Sequence, residues 1–155
     1  MAYLSEDDYT LNISIENLNE ILNQAADASG KTPEEVRLFA ESYARAFINS
    51  KLKSKYNMAG EFAKASPDSS RDMLIVMCVI DLALCTLHKT INPRDIPELR
   101  TKACEAAVVW LNEVRDGTSL IDVPVITTGE PEMRTFLGSQ VKFISKPYQD
   151  ASLFD

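Results

Sequence analysis

The sequence predicts an all-α fold, a bundle of four to five helices followed by an irregular, partly extended C-terminal tail. Three features of the chain predict it. Residues 71–89 are apolar nearly all round a helical circumference, as in the central helix of a bundle. Residues 32–56 carry a capped, amphipathic helical pattern. After Gly117 the helical period is lost, and Pro124, Gly129, Pro131, Gly138 and Pro147 punctuate the remainder.

In chain order, Ser5 with Asp8 three residues on forms a capping-box-like start for a short helix to about Ile13. Ser14 restarts the helix, with Ile15, Leu18, Ile21 and Leu22 at helical spacing, and Ser29-Gly30 stops it. Thr32-Pro33-Glu34-Glu35 is the clearest helix start. Thr32 caps, Pro33 has no N–H to lose in the first turn, and Glu35 reaches back. The helix that follows places Val36, Phe39, Ala40, Tyr43 and Phe47 on one stripe and Glu34, Arg37, Glu41 and Arg45 opposite. It runs to about Tyr56, and Lys51, Lys53 and Lys55 suit its negative end.

Residues 57–70 read as a connection containing Gly60 and Pro67, pinned to the core by Phe62. The apolar helix then begins near residues 68–71 and ends at Thr90-Ile91-Asn92-Pro93. A membrane span needs about 20 apolar residues; Asp81 interrupts this run and His88-Lys89 closes it, so it reads as a core helix. Beyond a proline-containing turn, Leu99, Ala103, Ala106, Ala107, Trp110, Leu111 and Val114 form the last helix. Its small residues allow close approach, Trp110 is its large anchor, and Asp116-Gly117 stops it. The organisation expected is a helical domain over residues 1–117 and a docking arm over 118–155.

With 155 residues, net charge −7 and a 45% hydrophobic fraction, the chain suits one acidic domain with its own core. That charge disfavours binding held by phosphate contacts. The acidic N-terminus lacks an apolar h-region, which predicts a reducing compartment. Cys78, Cys85 and Cys104 then read as core thiols. No zinc-type cluster, Gly-rich phosphate loop or nucleophile elbow is present, and no catalytic, cofactor-binding or metal residue is assigned. The single histidine, His88, reads as a cation at a helix C-terminus. Asp81 is the one polar residue inside the apolar run, and burial demands a partner. Arg45, Lys55 and the Tyr56 hydroxyl are the candidates, which makes Asp81, Tyr56 and Arg45 an expected buried polar set. Lys51, Lys53 and Lys55 form the one local basic patch, a candidate electrostatic contact. In the tail, Val125, Ile126, Val141, Phe143, Ile144, Leu153 and Phe154 are the candidate partner-binding residues.

Several short signatures fall into a familiar order: Met1-Ala2-Tyr3-Leu4 before an acidic first turn, Lys55-Tyr56, Cys78-Val79-Ile80-Asp81-Leu82-Ala83-Leu84, Trp110-Leu111-Asn112-Glu113-Val114-Arg115-Asp116-Gly117, and Gly138-Ser139-Gln140 with Phe143. The pattern resembles a Mu-like phage and prophage family of unknown function, related to the head–tail connector (head-completion, or adaptor) proteins of tailed phages. The resemblance implies a non-enzymatic virion protein, assembled in the host cytoplasm. It would self-associate into a ring, commonly of about twelve copies, through a head-to-tail contact that closes. Portal protein and tail or stopper proteins would be its partners, DNA would pass through without specific binding, and no membrane or cofactor would be involved. The tail beyond residue 127 departs most from the pattern. The readings kept beside it are another virion tail-completion protein and a small intracellular helical protein-binding regulator.

Overall fold

The computed structural model describes residues 2–126. They form six α-helices, and no strand occurs among the described residues: α1 (Glu6–Tyr9), α2 (Ile15–Ser29), α3 (Pro33–Leu52), α4 (Met58–Phe62), α5 (Met73–Ile91) and α6 (Glu98–Asp116). The start and stop signals act as the sequence implies. The Ser14 hydroxyl accepts from the Asn17 N–H, and the Thr32 hydroxyl accepts from the Glu35 N–H at 3.1 Å ahead of Pro33. Gly30 and Gly117 end α2 and α6 at φ of 73° and 90°, a left-handed conformation that a side chain disfavours.

Helix α5 is the core. Ile75, Val76, Val79, Ile80, Ala83 and Leu84 are fully buried, and α2, α3 and α6 pack around it. Its length and composition would also suit a membrane span; here half of that window is buried within the bundle. Each buried aliphatic side chain contributes about 1.5–3 kcal/mol.

Four features differ from the sequence expectation. First, α1 ends at Tyr9, where tight turns over residues 10–13 replace further helix. Second, residues 58–62 are helical, because the Asn57 side chain accepts from the Gly60 N–H at 3.1 Å and caps a short α4. Third, α3 ends at Leu52, short of the expected Tyr56, and presents a different face to the core. Val36, Ala40, Ala44, Ile48 and Leu52 are buried, whereas Phe39 and Tyr43 are 61% and 57% exposed. The small Ala40 and Ala44 let the α3 backbone approach α5, and the bulky aromatics are rotated outward. Glu41, expected on the polar face, is buried in consequence. It accepts from the Tyr9 hydroxyl at 2.7 Å and from Arg37 at 2.9 Å. Burial raises its pKa against those partners.

The fourth difference concerns residues 118–125, expected as the start of an extended docking arm over 118–155. Through Val125 the chain belongs to the same compact unit as the helices. Val123 is buried, the Asp122 N–H donates to Asp72 Oδ2 at 2.6 Å, the Asn57 N–H donates to the Pro124 carbonyl, and Val125 pairs with Tyr56 in an isolated antiparallel bridge. The segment is extended because it is tied to backbone and side-chain partners one residue at a time.

A buried charge node fixes the start of α5. Asp72 caps the helix through the Leu74 and Ile75 N–H groups, and its own N–H donates to Glu61 Oε2 at 2.8 Å. Glu61, also buried, accepts from the Tyr3 hydroxyl and from Lys64. Arg71 donates through both terminal nitrogens to the Asp8 carboxylate, at 3.1 and 3.0 Å, and to the Tyr3 carbonyl. Burial works against ionisation of Asp8, but bonds from Arg71, the Ser5 N–H and Ser66 hold its carboxyl below the usual range.

Two outcomes are expected. Leu84→Ala, at a fully buried site, should cost about 2–5 kcal/mol in urea unfolding. Asp8→Ala strands Arg71 and should cost about 3–5 kcal/mol. Asp8 has its lower pKa in the folded state, so its contribution is present above the unfolded value of about 3.9 and is lost as pH falls through the folded value. Wild-type stability should therefore drop in that acidic window, and the drop should be smaller in Asp8→Ala.

Candidate interaction surface

Helices α3, α5 and α6 enclose an open groove of about 650 Å³. Its α3 wall is Tyr43 and Phe47, its floor is Leu82, Cys85 and Thr86 of α5, and its α6 wall includes Cys104, Val108 and Val109. The volume lies within the range of about 300–1,000 Å³ usual for binding sites. Phe39 extends the apolar wall one turn towards the start of α3, and Val109 is 56% exposed. Scattered exposed apolar residues are ordinary; a contiguous set with aromatic members marks an interaction surface. Lys89 and Glu105 are the charged members of the lining.

The groove exists because α6 is thinly seated. Only Ala107, Leu111 and Val114 of α6 are buried, all in its C-terminal half. Leu99, expected on the core stripe, is 83% exposed, and Trp110 is only partly buried. The N-terminal half is held by two side-chain links. Cys85 and Cys104 are joined as a disulfide between α5 and α6, with Cα atoms 6.5 Å apart, so two of the three cysteines expected as core thiols are paired. They meet because residue 104 comes to lie over residue 85 once α6 turns back along α5. Cys78 alone remains a free, buried thiol, its pKa pushed up to about 12 by burial and by Asp81.

The second link is Asp81. Its carboxylate accepts from Asn12 Nδ2 at 2.6 Å and from Arg100 at 3.3 Å. The partners expected from α3 do not reach it, because Asp81 points towards the α1–α2 turn and α6. Its side chain keeps 21% exposure at the edge of a smaller pocket with Leu74, Met77 and Trp110. Burial raises its pKa, and Asn12 and Arg100 oppose the rise. Tyr56 is buried where it meets Val125, and burial raises its pKa. Arg45 is half-buried, and its Nε lacks a protein partner. Asp81, Tyr56 and Arg45 are therefore three separate features.

His88 lies in the last turn of α5, but burial and nearby Arg100 lower its pKa below the ordinary 6.5. The imidazole is thus mainly neutral at pH 7, and the cation at that helix end is Lys89. In the basic patch, Lys51 lies 5.5 Å from the Phe47 ring centre and Lys55 the same distance from that of Tyr56. Both lie near the end of α6, where Arg115 first, and then these two lysines, lower the Asp116 pKa. Lys53 is exposed. Of the candidate tail residues, Val125 and Ile126 are exposed; Val141, Phe143, Ile144, Leu153 and Phe154 lie outside the described residues. Among the described residues, no group of three or more His, Cys, Asp or Glu is placed to hold a metal ion.

The chain matches no protein-family model, no curated protein and no solved structure.

Asp81 and Asp8 should respond unequally to loss of charge. Asp81→Asn keeps an acceptor for Asn12 and removes a carboxylate whose ionisation burial opposes. Its unfolding free energy at pH 7 should stay within about 1 kcal/mol of wild type. A loss as large as that of Asp8→Ala in the same urea titration would show that the charge of the Asp81–Arg100 pair, beyond its hydrogen bonds and the Cys85–Cys104 link, carries most of the seating of α6.

Proposed function

We propose that the protein is a structural head–tail connector of a tailed phage or prophage, a ring-forming adaptor between portal and tail. The observation that carries this reading is the apolar face of Phe39, Tyr43 and Val109 with the groove beside it, on a helical bundle that buries its own core without them. A subunit of a closed ring needs such a face to meet its neighbour. The signature residues quoted from the sequence support the same assignment, and so does the acidic chain, since net charge −7 suits a channel wall that must not grip DNA phosphates. Partners are then portal protein, tail or stopper proteins and further copies of the chain. The site of action is the virion, after assembly in the host cytoplasm.

The groove also favours a second reading, an intracellular helical regulator that captures an apolar segment of another protein. Imaging with the cognate portal separates the two. Negative-stain micrographs of full-length protein mixed with portal should show added ring density below the portal. A chain ending at Ile126, which keeps the 118–125 segment that the bundle uses, should lose that density if the distal tail does the docking. Absence of portal association by the full chain would sink the connector reading and leave the regulator.

A further inference from the structure

The α3–α5–α6 groove lacks an occupant from the described bundle, and the chain itself carries an apolar run suited to it. We infer that the groove receives residues 141–144, Val-Lys-Phe-Ile, from a neighbouring copy of the same chain. The inference rests on the ring-forming reading, and it names the contact that would close the ring.

Reach and apolar chemistry support it. The stretch from Ile126 to Val141, fully extended, covers about 50 Å, more than the roughly 30 Å width of a small domain. The segment is thus long enough to leave its own bundle. In an extended segment, alternate residues face opposite ways. Val141 and Phe143 would then enter the groove together, against Tyr43, Phe47, Leu82 and Val109. Lys142 would turn to the rim, on the side of exposed Glu105 and away from Lys89, the two charged residues of the lining. A contact between a groove on one copy and a segment on the next is heterologous, the kind that builds rings. Two other apolar pairs lie in the same stretch, Phe136-Leu137 and Leu153-Phe154, and each offers two apolar residues where 141–144 offers three.

The test uses a fluorescein-labelled peptide of residues 137–148 and a full-length receptor carrying Phe143→Ala and Ile144→Ala, so that its own tail does not compete. The peptide should bind saturably by fluorescence anisotropy. Val109→Glu in the receptor, at an exposed groove position, should weaken binding at least tenfold. Leu11→Glu, exposed and outside the groove lining, should leave it unchanged. Lack of binding, binding indifferent to Val109→Glu, or competition only by a peptide of residues 149–155 would each overturn the assignment.

Oxidative cross-linking then fixes the direction. Full-length chains with Val109→Cys, mixed with full-length chains carrying Phe143→Cys, should give a covalent dimer of the two. A bond that forms only when both substitutions share one chain would place the segment in its own groove and overturn docking between copies. Portal association of the same variants, followed separately by imaging, distinguishes the two readings. Portal binding without groove docking leaves the connector standing and removes this inference. Cross-linked dimers without portal binding do the reverse.

Discussion

A helix that is apolar on every side must be covered on every side, and α5 imposes that requirement on the whole bundle. Helices α2, α3 and α6 supply most of that cover, while Met73 and Leu74 in the first turn stay 49% and 55% exposed. At its N-terminus, where orphan backbone N–H groups and incoming loops converge, apolar cover is unsuitable and buried charges take over. Asp72 satisfies two α5 N–H groups and holds Asp122; Glu61 holds Asp72 and Tyr3; Arg71 holds Asp8 and the Tyr3 carbonyl. One helix start thereby ties down the N-terminal turn, α4 and the segment after α6. Partnered in this way, the charges avoid the cost that isolated ions would incur, and loss of one member would leave its direct partner short of a bond.

The cover of α5 is uneven, and the unevenness shapes the surface. Helix α3 approaches through alanines and seals its flank. Helix α6 seals only through its C-terminal half, and its first turns stand over α5 on the Cys85–Cys104 link and the Arg100–Asp81 pair. Cavities flank α6 as a result: the large groove towards α3, and the pocket containing Asp81, Met77 and Trp110 on its other side. The groove follows from how the helices are seated and is part of the folded bundle.

Much of the fold was legible because its signals are local. Thr32-Pro33, Gly30 and Gly117 act within one helical turn, and the apolar run of α5 admits few other soluble arrangements. The features that sequence reasoning missed depend on contacts between distant residues. Phe39 and Tyr43 share a helical stripe with Val36 and Ala40, and hydrophobicity alone assigns all four to the core. The signal for the true face was the Ala40–Ala44 pair, small residues one turn apart where a second helix comes close. Glu41 read as a surface acid because its partner, Tyr9, lies 32 residues away. Asp81 needs a partner on sequence grounds alone, but the candidates Arg45, Lys55 and Tyr56 lie on or just after α3, while Asn12 and Arg100 are supplied by a turn and a helix whose placement only the fold determines. Residues 118–125 carry a weak extended pattern, and nothing in it announces Asp72 as an acceptor.

The rotation of α3 bears most directly on function. Burying Phe39 and Tyr43 would gain apolar contact for the bundle, at about 25 cal/mol per Å² removed from water. The chain instead places alanines at the helix–helix contact and leaves the aromatics in solvent. Close α3–α5 packing explains why alanine stands inside, but it does not require aromatic rings outside; polar residues there would serve an isolated domain better. Aromatic side chains carry large contact area with few rotatable bonds, which is why they serve as anchors where two protein surfaces meet. Phe39 and Tyr43 therefore contribute little to the bundle's own stability and are well placed to contribute to a contact beyond it. The apolar groove adjoins Tyr43 directly, so aromatic face and cavity together offer one continuous surface to a single partner. On the connector reading that partner would be the next subunit, and the exposed rings of Phe39 and Tyr43 would be covered there.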